Sequence, residues 1–398
     1  MTVNRAITSP RLKIGLFCIE GLNSLSTTSF FYYIYFLTKH RYGFGALENF
    51  SLAAGLGLCY AITANISGRF AQKQGYLLTL RCSSLIMISA FVLGTQVTSM
   101  PLAIGLMAVA NVGMSASWPA LESQVSYGEP PSRLQGILGT YNVIWATCAS
   151  ISYFSGGAMI EHWGWNSMFL VPAGLQFILF CLVLWIQKEA LHQPERILTA
   201  EDAIAPITHE SLRSPVPPRT FLKMGWLANP FGYLASNTVI SAVPTLALTF
   251  NLSKAQSGFL CSIWLFVRTG AFVLLWLWPR WHYRFRYLTG GFIAMTISFI
   301  TILLTHSLWL LILAQVVFGI AVGLLYYSSL FYSMDVGEAT GEHSGMHEAV
   351  IGAGCFAGPA VAACGLKFFP ETPSSGAWAV AVLLLGGLSS LFWLRYRK

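Results

Sequence analysis

Four ionisable side chains lie within or at the edge of long apolar stretches of this sequence: Glu20, Arg268, His347 and Glu348. A charge at the centre of a bilayer costs about 2.5–3.5 kcal/mol on insertion scales, so it needs a partner or a wet cavity. Glu20 can take up and release a proton. Arg268 does not readily lose its charge, so it can bind an anionic group or hold a carboxylate ionised. Two readings follow for this acid and base: a structural ion pair, or a couple that binds a solute and exchanges protons with it. Histidine titrates near neutrality, so His347 suits a pH-sensitive gate, although a plain loop-to-helix boundary accounts for it more simply; Glu348 is deep enough to need a partner or a water path. His343 and His347 are four residues apart, a spacing that can put two metal ligands on one helical face. Gly345 lies between them, and neither a metal nor a cofactor is expected.

Polar residues recur at helical spacing in the same stretches. Glu20 begins a stripe with Asn23, Ser24 and Thr27, and Asn229, Tyr233 and Asn237 share one face. Asn111, Ser115 and Trp118 run towards Glu122, while Tyr141, Asn142 and Trp145 cluster, as do Gln315, Tyr326 and Tyr327. Amides beside aromatic rings suit a neutral polar solute with flat faces, such as a sugar or nucleoside, and also varied apolar compounds. Aromatics of this kind also anchor helices at membrane interfaces.

The elements that must position these residues are apolar runs. A helix needs about 20 such residues to cross a bilayer core. They fall at 12–37, 46–67, 76–96, 101–123, 136–159 and 166–187, then at 222–250, 256–278, 287–305, 308–331, 345–368 and 376–394. The pattern predicts an all-α membrane protein with twelve spans, an N-terminal unit at 1–187, a proline-rich linker at 188–221 and a C-terminal unit at 222–398. The first run is too long for a signal peptide's apolar core and is expected to remain as a span.

Only 10% of the 398 residues are charged, against about 25% in soluble domains, which argues against a soluble enzyme. Placing the N-terminus in the cytoplasm puts 18 of the 23 Lys and Arg on the inner side, four outside and Arg268 within a span. The net charge of +8 is thus a topological label and no nucleic-acid footprint. Both termini are expected inside, in a plasma (inner) membrane. No Gly-x-x-x-x-Gly-Lys-Ser/Thr loop is present, so ATP-driven transport has no support. The eight cysteines show no C-x-x-C pair and read as packing residues.

A faint repeat at an offset of 209 aligns Gly128-Glu129 with Gly337-Glu338, Gly136 with Gly345, Glu20 with Asn229 and Trp118 with Tyr327. Duplicated units are a known plan of secondary transporters. The loop after the second run reads Gly68-Arg-Phe-Ala-Gln-Lys73-Gln-Gly75-Tyr76. Taken together, these features resemble the major facilitator superfamily over nearly the whole chain. Gly68, Lys73 and Gly75 match that family's gating loop, but Gln72 stands where the family has Asp and Tyr76 where it has a basic residue. A second match runs from Pro119 through Arg133, Gly136 and Gly139 to Gly156-Gly157, without the Arg in the fourth span or the Gly-Pro pair of many proton/drug antiporters.

The resemblance implies twelve helices in two pseudo-symmetric six-helix bundles and a cavity lined by the first, fourth, seventh and tenth spans. It implies a secondary active transporter, with proton-coupled uptake of a neutral or weakly charged solute as the first expectation. Drug or metabolite export and a non-transporting receptor are the alternatives. The expected partners are a small solute, protons and the lipid bilayer, with the protein a monomer. The residues assigned to binding or coupling are Glu20, Asn23, Thr27, Trp118, Asn142, Trp145, Asn229, Tyr233, Asn237, Arg268, Tyr326, Tyr327, His347 and Glu348.

Overall fold

In hydrocarbon a chain must satisfy its backbone polar groups internally, and long apolar runs without alternation do so as helices. The computed structural model describes residues 4, 6–7, 9–192, 216–336 and 341–397. The N-terminal half comprises α1 Pro10–Phe31, α2 Ile34–Tyr42, α3 Ala46–Gln74, α4 Tyr76–Gly94, α5 Met100–Ser126, α6 Pro131–Trp163 and α7 Ser167–Ala190. The C-terminal half comprises α8 Pro218–Thr249, α9 Lys254–Cys261, α10 Ile263–Leu277, α11 Phe285–Leu304, α12 Leu308–Asp335, α13 Gly341–Phe368 and α14 Ser375–Tyr396.

Two expected spans are broken. The first divides at Tyr32–Tyr33 into α1 and α2, and the eighth divides at Ser262 into α9 and α10. The seventh begins at Pro218, four residues before the expected start at 222, because proline is well tolerated in a helix's first turn. Among the described residues, eleven helical segments are long and apolar enough to cross a membrane. The polar stripe keeps α1 out of that set, and α1 with its continuation α2 makes the twelfth. Most of the expected linker, residues 193–215, lies outside the described residues, as does the Gly337-Glu338 repeat.

Within the N-terminal half, α1 packs on α6 and α7, and α4 on α5 and α7. In the C-terminal half, α12 packs on α8, α10 and α11, and α13 on α8 and α14. The halves meet along two seams, α3 with α13 and α6 with α9 and α10. Small residues permit the close approach. A Cβ on Gly68 would lie 2.7 Å from Gly345 Cα, and one on Gly352 2.6 Å from Ala61 Cα. On the second seam, Gly157 backs onto the Lys254 backbone, and Gly258 onto the Tyr153 carbonyl oxygen.

Both ends of the described chain lie on one face of the bundle, here the terminal face. There the α3–α4 loop turns at Gly75, whose φ of +114° favours glycine. Asn4 straps this loop. Its Nδ2 donates to the Gln72 carbonyl at 3.1 Å, and its Oδ1 accepts from the Tyr76 N–H at 2.9 Å. Ile7 is buried beside Leu12, Ala71 and Tyr76. Lys13 forms an ion pair with Glu129, and the Tyr283 hydroxyl donates to Asp335. Burial, and then the Asp335 carboxylate, push the Tyr283 hydroxyl well above the ordinary tyrosine range.

Candidate functional site

A cavity of about 170 Å3 lies between the halves. Helix α1 lines it with Ser24, Thr27, Thr28 and Phe31, and the residues just beyond contribute Tyr32 and Tyr35. From α5 come Asn111, Met114, Trp118 and Glu122, and from α6 come Tyr141, Trp145 and Ala149. The other half supplies Tyr233, Asn237 and Ile240 from α8, Tyr326 from α12, and Glu348, Ile351 and Cys355 from α13. Helix α3 closes the wall with Ala53, Leu56, Gly57 and Tyr60.

Seven of the fourteen residues assigned to binding or coupling thus face one cavity: Thr27, Trp118, Trp145, Tyr233, Asn237, Tyr326 and Glu348. The others sit elsewhere. Asn23 braces three helices of its own half, donating to Ser117 Oγ at 3.1 Å and accepting from Gln176 Nε2 at 3.2 Å. Asn229 is buried away from the cavity lining. Tyr327 packs its ring against Phe272 and Trp281. His347 does not line the cavity, and its buried Nε2 has no hydrogen-bond partner. The His343 side chain lies outside the described residues. Of the loop residues, Gly68 sits in the α3–α13 seam and Gly75 in the strapped turn, while Lys73 is exposed.

The expected pairing of Glu20 with Arg268 is not what the structure holds. Glu20 is fully buried beside the cavity, where Oε1 accepts from Ser24 Oγ at 3.2 Å and the Tyr141 hydroxyl stands within hydrogen-bonding reach of the carboxyl group. Arg268 lies 4.5 Å from the Trp145 ring centre and 5.1 Å from that of Trp264. Arg268 Nε and Nη2 have no hydrogen-bond partner, and the residue is only 3% exposed. Similar depth along two helices does not make neighbours, and the indole of Trp145 occupies the guanidinium's free face. A planar cation over a desolvated indole gains about 2 kcal/mol, and lysine lacks the flat stacking surface. Arg268→Lys is therefore expected to lower stability by about 1–2 kcal/mol, read as a fall in melting temperature of the purified protein. An unchanged melting temperature would remove the stacking role.

One side chain holds aromatics from both halves. Asn142 Oδ1 accepts from Trp145 Nε1 at 2.9 Å and from the Tyr326 hydroxyl at 2.8 Å, while its Nδ2 donates to the Leu138 carbonyl at 2.6 Å. Trp145 also meets Trp118 and Tyr326 edge to face, with ring centres 6.3 and 5.8 Å apart. Across the α3–α13 seam, the Tyr60 hydroxyl donates to Glu348. Asn237 Nδ2 lies 2.9 Å from Cys355 Sγ.

Sequence reasoning passed over Phe31, Tyr32, Tyr35 and Tyr60. Phe31 and Tyr35 continue the Glu20 stripe at the same spacing of three and four, a signal that was available. Tyr60 carries no such mark, because its role depends on Glu348, 288 residues away. Glu122, Asn111 and Tyr141 stand on recognised polar faces, and the structure brings them to the cavity.

Cross-half contacts lie on both sides of the cavity. Towards the terminal face, Gly68 meets Gly345. At the opposite end, Lys39 Nζ donates to the Pro244 carbonyl at 3.2 Å, and Glu161 accepts from the Ala255 N–H at 3.0 Å.

Solved structures share this arrangement over almost the full length of both chains. The nucleoside transporter NupG superposes with a TM-score of 0.68 at 16% identity, covering 97% of this chain and 100% of its own. A bacterial homologue of the human lysosomal transporter Spinster, in an inward-facing and occupied conformation, gives 0.70 at 14% identity, with 98% of each chain covered. The human organic anion transporter MFSD10 gives 0.65 at 15% identity, covering 97% of this chain and 100% of its own. Comparison with curated proteins finds no match. The family model of the Major Facilitator Superfamily matches residues 16–359, and the chain belongs to that superfamily.

Proposed function

We propose that this protein is a secondary active transporter that takes a small organic solute into the cell by alternating access, coupled to protons. The observation that carries the reading is the cavity between the halves, with cross-half contacts on both sides of it. The units at 1–187 and 222–398 rock about it, tethered by 188–221, in the manner of transporters built from repeats. The excess of basic residues on the terminal face supports a plasma (inner) membrane with both termini cytoplasmic. Flat rings and amides in the cavity support a neutral or weakly charged solute, such as a nucleoside or sugar.

Glu20 is the proposed proton carrier, because it is fully buried and no Lys or Arg among the described residues forms a salt bridge with it. A thermal-shift panel of nucleosides, sugars, amino acids and carboxylates identifies a solute, since binding to the folded state raises apparent stability. In proteoliposomes, Glu20→Gln is then expected to abolish uphill uptake driven by a pH gradient while solute exchange at equal pH continues. Uphill uptake with unaltered pH dependence would sink the coupling role. Lowered accumulation of the solute in cells expressing the protein would select export instead.

A further inference from the structure

The acids on the cavity wall come from both halves. Among its lining residues, Glu122 and Glu348 are the carboxylic acids, and no Lys, Arg or His is present. Glu20 is buried beside the cavity, next to the lining residues Ser24 and Tyr141. Two carboxyl groups therefore share the cavity wall, and a third lies behind it. The guanidinium of Arg268 is not part of the lining; it lies behind the wall against Trp145, near enough to Tyr32, Tyr233 and Tyr326 to act on them. Carboxylates withdrawn from water favour a cation that replaces their lost hydration. Beside them, Trp118, Trp145 and Tyr326 offer ring surfaces, and ring faces also attract cations.

We propose that the cavity recognises an organic cation, a protonated amine carried on a flat ring. The ammonium group sits at Glu348 and Glu122, and the ring lies against Trp118 and Trp145. An anionic solute meets like charge at the same place. Because Tyr60 donates to Glu348 across the α3–α13 seam, an ammonium there competes with a bond that joins the two halves. The inference rests on the cavity being the transport site, and it narrows the weakly charged solute proposed above to a base.

The test is equilibrium binding to the purified full chain in nanodiscs at fixed pH and salt, read by tryptophan fluorescence and calorimetry. Three probes share one ring: 2-phenylethylammonium, neutral 2-phenylethanol and anionic 3-phenylpropanoate. The cation is expected to bind at least tenfold tighter than the alcohol, and the carboxylate more weakly still. Glu348→Gln is expected to weaken the cation tenfold or more and to leave the alcohol unchanged. Should Glu348→Gln fail to fold, Glu122→Gln carries the same expectation. Equal or tighter binding of the alcohol or the carboxylate overturns the proposal. So does an unchanged cation affinity in a folded variant. Cation binding without flux in liposomes leaves this inference standing and sinks the transporter reading. Flux of a neutral solute without preference for the cation does the reverse.

Discussion

Gly68→Leu and Gly157→Leu are each expected to cut solute flux at least tenfold, and to do so from opposite sides. Each glycine lies where the backbones of two halves nearly touch. A side chain at 68 meets the Gly345 backbone, and one at 157 meets the backbone of Lys254 and Ala255. Backbone cannot turn aside as a flexible side chain can, so these seams must part. Overpacking of this kind costs about 1–3 kcal/mol. That is enough to shift a balance between two conformations without unfolding either half. Cys355 lines the cavity and can report which mouth has opened. With the other seven cysteines replaced, labelling by an impermeant maleimide should rise from the terminal face in Gly68→Leu. It should rise from the opposite face in Gly157→Leu. Unchanged labelling together with flux within twofold of the parent would show that neither seam is a gate.

Asn142→Leu is expected to weaken solute binding at least tenfold while the protein still reaches the membrane. The substitution is close in volume, so the loss is chiefly polar. It strips acceptors from Trp145 Nε1 and the Tyr326 hydroxyl, and each orphaned buried donor costs about 1–3 kcal/mol. Both rings line the cavity, and they come from different halves. Their relative placement is therefore lost together with the bonds. Asn142→Asp keeps the acceptor oxygen and should recover part of the affinity. Binding of the solute found in the thermal-shift panel, measured for the three proteins side by side, decides the matter. Equal affinity in Asn142→Leu would mean that the rings hold their places without the amide.

The helices could be read from apolar length alone, and the expected spans coincide with the observed helices to within seven residues at either end. The breaks at Tyr32–Tyr33 and Ser262 could not, since neither carries a proline or glycine at the break. Of the site, the stripes on α1, α5 and α8 were legible because helical spacing reports a shared face. What spacing cannot report is which face meets which across two halves. That is why an acid and a base in apolar runs read as a pair, whereas the neighbour of Arg268 is Trp145. Asn229 fails for a related reason. It shares a face with Tyr233 and Asn237 by count, yet it is buried away from the cavity lining. Tyrosines at a cavity and tyrosines at a membrane interface also look alike in sequence, and this concealed Tyr32 and Tyr60.

The strap formed by Asn4 bears on the order in which the molecule is made. Its two partners lie 68 and 72 residues later in the chain, in the last turn of α3 and at the start of α4. When the first helix enters the membrane, those partners have not yet been synthesised. The leading polar segment must therefore wait, uncommitted, until the second and third spans have been threaded and the loop between them delivered. Only then can Ile7 settle against Ala71 and Tyr76, and Asn4 fasten the turn at Gly75. Asn4 and Ile7 thus find their places only after the turn between the second and third spans has formed.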